Sequence, residues 1–307
     1  MSDLPALDRE WLSEHPLPEH PPGTTKNSRG RVLLVGGARF VPGALRLTGE
    51  AVLRSGAGKL QMATVADVAM QLGVLVPEAA MIALPSDDDG EIGAEAIPVI
   101  EHAVERCDTL ILGPGMSETE QGTAIVQALL AHPRGDAGDQ LSIVLDAAAI
   151  PVCADLADTL KAHGGRIVMT PHHGEMAALT GLDTDAIAAD DAAVACDFAA
   201  RLGVTIVLKS DTTVVASPDG ACIRYAGGGV GLATGGSGDV LAGLIGGLLA
   251  RGAEPRVAAA WGVWLHGEAG TLLAESLGPI GFMARELLLP IPRLMAFAKP
   301  RPAVGFG

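Results

Sequence analysis

The sequence is poor in aromatic residues, lysine and cysteine. Aromatic side chains make up 3% of the 307 residues, and the chain has five lysines and four cysteines beside 40 glycines. Few aromatics among many small aliphatic residues argue against an aromatic-rich β-sandwich and favour helices packed closely on a sheet. No CxxC pair occurs among Cys107, Cys153, Cys196 and Cys222. We therefore expect buried, unreactive thiols rather than a zinc site or a disulfide framework.

Positive charge and long apolar runs are also scarce. The net charge of −15 excludes a general affinity for nucleic acid or for an anionic membrane surface. No apolar run reaches the roughly 18 residues that a membrane-spanning helix needs. The N-terminal stretch MSDLPALDREWLSEHP is acidic and has no apolar core, so we expect no signal peptide and a cytoplasmic protein. An anionic ligand would have to be bound locally, by helix N-termini or by one of the rare lysines.

Short apolar segments alternate with helical patterns along most of the chain, which predicts an α/β fold with a mainly parallel sheet. The turn sequence Pro218-Asp219-Gly220 separates two further strands and predicts an antiparallel β-hairpin beside that sheet. We expect residues 1–29 to form an extended, partly ordered arm and residues 30–300 to form one domain. The predicted strands are 31–37, 59–64, 79–84, 109–113, 141–146, 166–170, 204–209, 213–217 and 221–225, and the predicted helices are 43–55, 93–106, 119–132, 184–202, 239–251, 255–276 and 282–297.

The glycine-rich stretch before the predicted helix 239–251 is the strongest functional signal. Gly235, Gly236, Ser237 and Gly238 can bring backbone N–H groups close to a phosphate at the positive end of the helix dipole. Asp239, in the first helical turn, could act as a general base on a hydroxyl that attacks a phosphoryl group. The alternative is that Asp239 only caps the helix. The stretch matches neither the Walker pattern nor GxGxxG.

Other polar residues end predicted strands and would meet at the carboxyl edge of the sheet, where α/β proteins bind ligands. Lys209 ends one strand, although a solvated lysine at a strand end is the simpler alternative. The adjacent His172 and His173 are a poor zinc pair, because neighbouring side chains diverge. Asp146 and Glu175 are better candidates for holding magnesium near phosphates. His266, on an apolar helix, is more often a core histidine than a catalytic one.

The motif TGGSGD followed by an apolar helix resembles the anion hole of the ribokinase-like superfamily. VLLVGGARFVPGALRLTGEAVLRSGAGKLQMAT (32–64) is similar to the beginning of the NAD(P)H-hydrate dehydratases. The segments LGPGMS (112–117), VLDAAAI (144–150), TPHHGEMAALTG (170–181), LKSDTTVVASPDG (208–220) and WLHGEAG (264–270) follow in that family's order. The resemblance covers about residues 29–297 and implies a ribokinase-like three-layer αβα sandwich.

The resemblance also implies an activity. Members of this family use ADP, or ATP in eukaryotes, with magnesium to dehydrate the 6S hydrate of NADH or NADPH, and the bacterial enzymes release AMP and phosphate. Many assemble as homo-oligomers such as tetramers. The implied roles are a catalytic, substrate-contacting base for Asp239, an anion hole for Gly235–Gly238, substrate contacts for Ala44, Gly115 and His172, and nucleotide contacts for Lys209, Ser210, Asp211, Thr212, Thr213 and Gly238.

The sequence departs from the family pattern at three places. Ala148 stands where relatives often have a second aspartate, Gly229 where they often have asparagine, and His173 where they have proline. The first two departures leave open a catalytically weakened nucleotide-binding homologue. A ribokinase-like kinase of a small alcohol, such as a hydroxymethylpyrimidine or a thiazole, is the other alternative, although its N-terminal half should differ.

Overall fold

The computed structural model describes residues 4–132 and 141–298. Nine strands and twelve α-helices lie within these ranges, with short 3-10 helices between some of them. The strands are β1 Arg31–Val35, β2 Lys59–Val65, β3 Ala79–Leu84, β4 Thr109–Leu112, β5 Ser142–Leu145, β6 Ile167–Met169, β7 Thr205–Leu208, β8 Thr213–Ala216 and β9 Cys222–Tyr225. The helices are α1 Arg9–Glu14, α2 Pro42–Arg54, α3 Ala66–Leu75, α4 Ile97–Val104, α5 Glu120–Ala131, α6 Ala157–Ala162, α7 His173–Thr180, α8 Thr184–Ala189, α9 Asp191–Leu202, α10 Ser237–Ala250, α11 Pro255–Ser276 and α12 Ile291–Phe297.

All nine strands form one sheet in the order β3-β2-β1-β4-β5-β6-β7-β8-β9. The first seven are parallel, and β7, β8 and β9 pair antiparallel, so the predicted mainly parallel sheet with a hairpin at one side is confirmed. Strands β4, β5 and β7 are buried along their full length. A strand covered on both faces must be apolar throughout, which is why these segments read as continuous hydrophobic runs.

Alternate residues of each strand point into two separate cores. In β7, Val207 belongs to a first core, which contains helices α1, α2, α3, α10, α11 and α12. Ile206 and Leu208 belong to a second core, which contains α4 to α9. Helices therefore cover both faces of the sheet, and the three-layer αβα arrangement expected from the family resemblance is confirmed.

Helices α2 and α10 approach each other closely because glycines leave room for backbone contact. A methyl group on Gly243 would overlap the carbonyl oxygen of Thr48, and one on Gly247 would overlap the Ser55 hydroxyl. Replacing either glycine would therefore push the helices apart. This contact fixes α10, whose N-terminus carries the glycine-rich motif.

The segment before β1 packs against the rest of the protein. Asp8 caps α1 by accepting hydrogen bonds from the N–H groups of Glu10 and Trp11. The apolar side chains of this N-terminal segment lie in the first core, and the Trp261 indole N–H donates to the His15 carbonyl oxygen at 2.8 Å. The side chains that this segment buries are Leu7, Trp11, Leu12 and Leu17.

Three predictions about local structure are wrong. The predicted helix 184–202 is divided at Asp190, whose side chain accepts from the Ala193 N–H and begins α9. The predicted helix 282–297 is divided near Pro290, which cannot donate a helical hydrogen bond. Cys196 and Cys222 are joined as a disulfide between α9 and β9, although we expected free thiols; Cys107 and Cys153 are free and buried.

Among the residues that the structure describes, no helix is long and apolar enough to cross a membrane.

Candidate active site

A cluster of opposite charges lies at the carboxyl edge of the parallel strands. Asp146 follows β5 and is 3% exposed, and Lys209 follows β7. The Lys209 Nζ atom lies 3.3 Å from Asp146 Oδ1 and 3.5 Å from Glu175 Oε2. The Thr170 hydroxyl, at the end of β6, donates to Asp146 Oδ1 at 2.6 Å. Three neighbouring strands and α7 thus bring one ammonium group between two carboxylates.

The two carboxylates keep Lys209 charged. Burial alone would lower the pKa of Lys209, but the charges of Asp146 and Glu175 and their hydrogen bonds raise that pKa above its ordinary value. The ammonium group therefore stays positive throughout the physiological pH range. It is a fixed positive charge in a protein whose net charge is −15.

The N-terminus of α10 faces this cluster. Gly236 precedes the helix with a φ of 88°, and a Cβ atom there would overlap the Leu47 side chain, so only glycine fits. A methyl group on Gly238 would lie 3.5 Å from Lys209 Nζ. No side chain among the described residues caps the first turn of α10. The helix begins at Ser237, two residues earlier than predicted. Its uncapped positive end lies next to a lysine, an arrangement that suits a phosphate.

Asp239 lies in this first turn, as predicted, and its environment disfavours its charged form. Burial and the nearby negative charge of Asp146 raise the pKa of Asp239 to about 7, although the Lys209 charge opposes the shift. The helix dipole and Lys209 alone would have kept a simple capping aspartate ionised. A carboxylate with a pKa near neutrality can take and release a proton, which is what a general base requires.

His266 contacts the glycine-rich motif from α11. Its Nε2 atom lies 2.9 Å from the Ser237 hydroxyl oxygen. Burial lowers the pKa of His266 to about 4, and the Lys209 charge acts in the same direction, so the ring is neutral. His266 is therefore a half-buried histidine whose ring contacts a residue of the predicted anion hole. The contact could not be predicted from the sequence, because Ser237 and His266 lie on different helices and are distant in the chain.

The loops after β1 and β4 meet beside the α10 N-terminus. The Gly37 N–H donates to the Pro114 carbonyl oxygen at 2.8 Å. Gly115 has a φ of 69°, and a methyl group there would lie 2.9 Å from the Ala44 Cβ. The two predicted substrate-contacting residues Ala44 and Gly115 are thus neighbours, although 71 positions separate them in the sequence.

The His172 side chain caps a helix. His172 precedes α7 as its N-cap, and its Nδ1 atom accepts from the Gly174 and Glu175 N–H groups at 2.9 and 3.2 Å. In return, Glu175 Oε2 accepts from the His172 N–H at 2.8 Å. Within the described ranges, no group of three or more His, Cys, Asp or Glu residues is placed to hold a metal ion.

The carboxylates of Asp146 and Glu175 can still contribute to a magnesium site. Magnesium is commonly held by one or two carboxylates together with waters and substrate phosphates, so a two-carboxylate set fits it once a phosphate is bound. A cavity of about 470 Å³ opens beside Glu175 and reaches the loop that follows Asp146. Ala148 lines this cavity, so the missing second aspartate removes a negative charge from its wall.

The segment from Lys209 to Thr213 forms a compact turn between β7 and β8. The Ser210 hydroxyl donates to the Thr212 carbonyl oxygen at 2.8 Å, and the Asp211 carboxylate accepts from the Thr212 N–H at 2.9 Å. Asp211 is exposed on the outside of the turn. The Ser210 side chain therefore stabilises the turn.

Of the predicted residues, the structure brings together Lys209, Asp146, Glu175, Gly238 and Asp239 at one edge of the sheet. The fold and this site define a ribokinase-like protein. Residues 32–293 match the family model described as NAD(P)H-hydrate dehydratase. The chain belongs to the NAD(P)H-hydrate dehydratase family.

Two curated relatives illustrate how far the similarity extends. The chain is 44% identical over 287 residues to the ADP-dependent (S)-NAD(P)H-hydrate dehydratase of Xanthomonas campestris, covering 92% of this chain and 93% of that protein. It is 37% identical over 290 residues to a bifunctional NAD(P)H-hydrate repair enzyme of Moorella thermoacetica. That match covers 94% of this chain and 53% of the relative, so the chain spans about half the length of the bifunctional enzyme.

Solved structures agree with this assignment. An ADP/ATP-dependent NAD(P)H-hydrate dehydratase of Bacillus subtilis, co-crystallised with ATP and Mg²⁺, is 28% identical and superimposes with a TM-score of 0.79, covering 97% of this chain and all of that one. A hydroxyethylthiazole kinase of Pyrococcus horikoshii is 17% identical with a TM-score of 0.55, covering 87% of this chain and 89% of that one. The second match shows a shared fold alone.

Proposed function

We propose that this protein restores NADH or NADPH from its 6S hydrate, with ADP as the phosphoryl donor and AMP and phosphate as products. The observation that carries the proposal is the position of Asp239. Its carboxylate, with a pKa of about 7, lies in the first turn of a helix whose positive end faces Lys209. A proton acceptor thus stands beside a site for a phosphate, as phosphorylation of a hydroxyl requires.

The reaction then proceeds in two balanced steps. In the first step, Asp239 accepts the proton of the C6 hydroxyl while the hydroxyl oxygen forms a bond to the β-phosphorus of ADP. The bond between the β-phosphorus and the bridging oxygen breaks and releases AMP. In the second step the C6–O bond breaks with loss of phosphate and a water molecule accepts a proton from C5, which restores the C5–C6 double bond. No net oxidation or reduction occurs.

The residues around Asp239 would bind the transferred phosphoryl group. Gly235, Gly236 and Gly238 of the predicted anion hole would supply N–H donors at the helix N-terminus, whereas the Ser237 N–H donates to the Thr234 carbonyl oxygen at 3.2 Å. Lys209 would supply a full positive charge. His266 holds the Ser237 hydroxyl from behind. Because this charge and these donors are in place before the ligand binds, they would stabilise the transition state without reorganisation.

A magnesium ion would be held by Asp146 and Glu175 together with phosphate oxygens, and it would neutralise charge on the transferring phosphoryl group. Lys209 lies between these carboxylates, so it would have to share them with the ion. Ser210, Asp211, Thr212 and Thr213 would contact the nucleotide from the turn that follows Lys209. Ala44, at the beginning of α2, and Gly115, in the loop after β4, would contact the hydrate, as would His172, which forms a backbone bridge with Lys209.

The preference for ADP over ATP, a cytoplasmic location, a homo-oligomer such as a tetramer and the division into an arm 1–29 and a domain 30–300 belong to this proposal. The preference for ADP is supported by the similarity to an ADP-dependent relative. The location, the assembly and the division of the chain rest on the sequence pattern and the family resemblance, and residues of the arm pack into the core of the domain.

The test is recovery of the absorbance band of reduced nicotinamide from purified NADH hydrate. We expect recovery with ADP and magnesium, faster than with ATP, and AMP in equal amount to the NADH formed. Phosphorylation of a thiazole or hydroxymethylpyrimidine alcohol without any NADH recovery would support the kinase alternative instead. Nucleotide binding without either reaction would indicate a weakened homologue and would overturn the proposal.

A further inference from the structure

The turn that carries the predicted nucleotide contacts is held by an arginine outside it. The Arg224 side chain, on β9, donates from Nη1 to the Thr212 hydroxyl at 3.0 Å and from Nη2 to Asp191 Oδ1 at 2.6 Å. Asp191 is the first residue of α9, and its side chain is 14% exposed. One guanidinium group thus joins the turn, the hairpin and a helix.

Arg224 is itself held on both sides. On one side, the backbone of Arg224 pairs with Val214 of β8. On the other side its N–H donates to the Pro5 carbonyl oxygen at 3.0 Å, and its carbonyl accepts from the Leu7 N–H at 2.8 Å. The N-terminal segment therefore covers the outer edge of β9 at the position of Arg224. Because the Arg224 backbone is fixed on both sides, its side chain starts from a fixed position when it binds Thr212.

The turn has little else to hold its centre. Lys209 at its start is fixed by a hydrogen bond from its N–H to the Pro171 carbonyl, and Thr213 at its end belongs to β8. Between these ends, Ser210 and Asp211 bond only within the turn among the side-chain contacts described. Arg224 supplies the contact from the hairpin to the middle of the turn.

We propose that Arg224 is a positioning residue that holds the Lys209–Thr213 turn in the shape that receives the nucleotide. This inference rests on the proposed function. A turn that is already in its binding shape loses less conformational freedom when a ligand binds, so the gain would appear in nucleotide affinity. The chemical step depends on Asp239 and the α10 N-terminus, which Arg224 does not contact in the hydrogen bonds described.

The test compares R224Q, T212V and the double variant with the unmodified protein. R224Q should raise the KM and the calorimetric Kd for ADP about tenfold, the size expected for losing one charge-assisted hydrogen bond. The kcat should stay within about twofold, because affinity and chemistry depend on different groups. T212V should raise the KM in the same direction, and the double variant should be no worse than R224Q alone.

Two controls distinguish positioning from a general loss of structure. R201Q removes an arginine from an exposed ion pair with Asp197 on the same helix as Asp191, and it should leave the KM unchanged. R224K keeps the charge but has no fork to reach both acceptors, so its KM should lie between those of R224Q and the unmodified protein.

An R224Q variant with unchanged affinity for ADP would overturn the inference. A roughly tenfold loss in kcat with no change in KM would overturn it as well. Additive effects of R224Q and T212V would show that Arg224 does not act through Thr212. If the unmodified protein binds ADP but restores no NADH, the proposed function fails while the calorimetric comparison still decides the role of Arg224. If it binds neither ADP nor ATP, the inference fails as well.

Discussion

At the scale of single residues, Asp239 combines a helix N-terminal position with an environment that opposes its charge. Its pKa of about 7 in the folded protein exceeds the roughly 3.9 of an unfolded aspartate. The folded state therefore binds the proton more tightly, so ionisation of Asp239 reduces stability as the pH rises from about 4 to about 7. Above that range the full cost is present.

It follows that D239N should stabilise the protein more at about pH 8 than at about pH 5, because asparagine has no charge to bury. The Tm should rise at the higher pH, by about 2–4 °C for each kcal/mol regained. Calorimetric scans at the two pH values check this. D88N, which removes an exposed carboxylate, serves as the control. A loss of stability in D239N that is the same at both pH values would contradict the assigned pKa.

Lys209 has the opposite effect on stability, since it neutralises two buried or half-buried carboxylates. K209M should leave Asp146 without its cation and destabilise the protein by about 2 kcal/mol, less than the 3–5 kcal/mol for a fully buried pair because the lysine side chain is 21% exposed. Urea unfolding near neutral pH measures the change. K161M removes an exposed lysine and should stay within about 0.5 kcal/mol. Equal stabilities for the two variants would exclude the charge cluster as a stabilising feature.

At the scale of elements, the sequence predicted the sheet better than the helix boundaries. Each predicted strand is present within about two residues. The central strands were the easiest to recognise, because strands buried on both faces must be apolar throughout. The helix 184–202 was not resolved into two, because Asp190 interrupts the pattern by a side-chain cap rather than by glycine or proline. Helix α1 was not predicted either, since six residues carry too little periodicity.

The beginning of α10 gives a test at this scale. G236A would place a methyl group against Leu47 and force a residue with a φ of 88° into an unfavourable conformation. We expect a loss of about 1–3 kcal/mol in unfolding free energy. G235A is the matched control for stability, because a methyl group there meets nothing within 4 Å. A G236A variant as stable as G235A would show that the glycine is not required for the turn.

At the scale of the whole molecule, the N-terminal segment connects distant parts of the chain. L12A should destabilise the protein by about 2–5 kcal/mol, because Leu12 is 1% exposed within the first core. L277A, at a leucine that is 61% exposed, should change stability by less than about 0.5 kcal/mol. Chemical denaturation of both variants provides the comparison. Similar values would indicate that the segment does not belong to the cooperative core.

The candidate site was predictable to the extent that local motifs carry it. The TGGSGD motif and Lys209 could be found because scarce lysine and clustered glycine stand out in the sequence. The Ser237–His266 and Arg224–Thr212 contacts could not be found, because each joins residues from different elements. The disulfide between Cys196 and Cys222 was missed for the same reason. Local motifs and composition therefore identified the candidate phosphate-binding elements, whereas the supporting contacts required the fold.

Measuring both the turnover of D239N and its affinity for ADP tests the proposal that Asp239 is the base in nucleotide-dependent dehydration of NAD(P)H hydrate. We expect the reduced nicotinamide band to return with the unmodified protein and the kcat of D239N to fall at least about a hundredfold, because a general base is removed. Calorimetry should show ADP binding within about threefold of the unmodified protein, since Lys209 and the α10 N–H groups remain. Turnover by D239N at the unmodified rate would contradict the account.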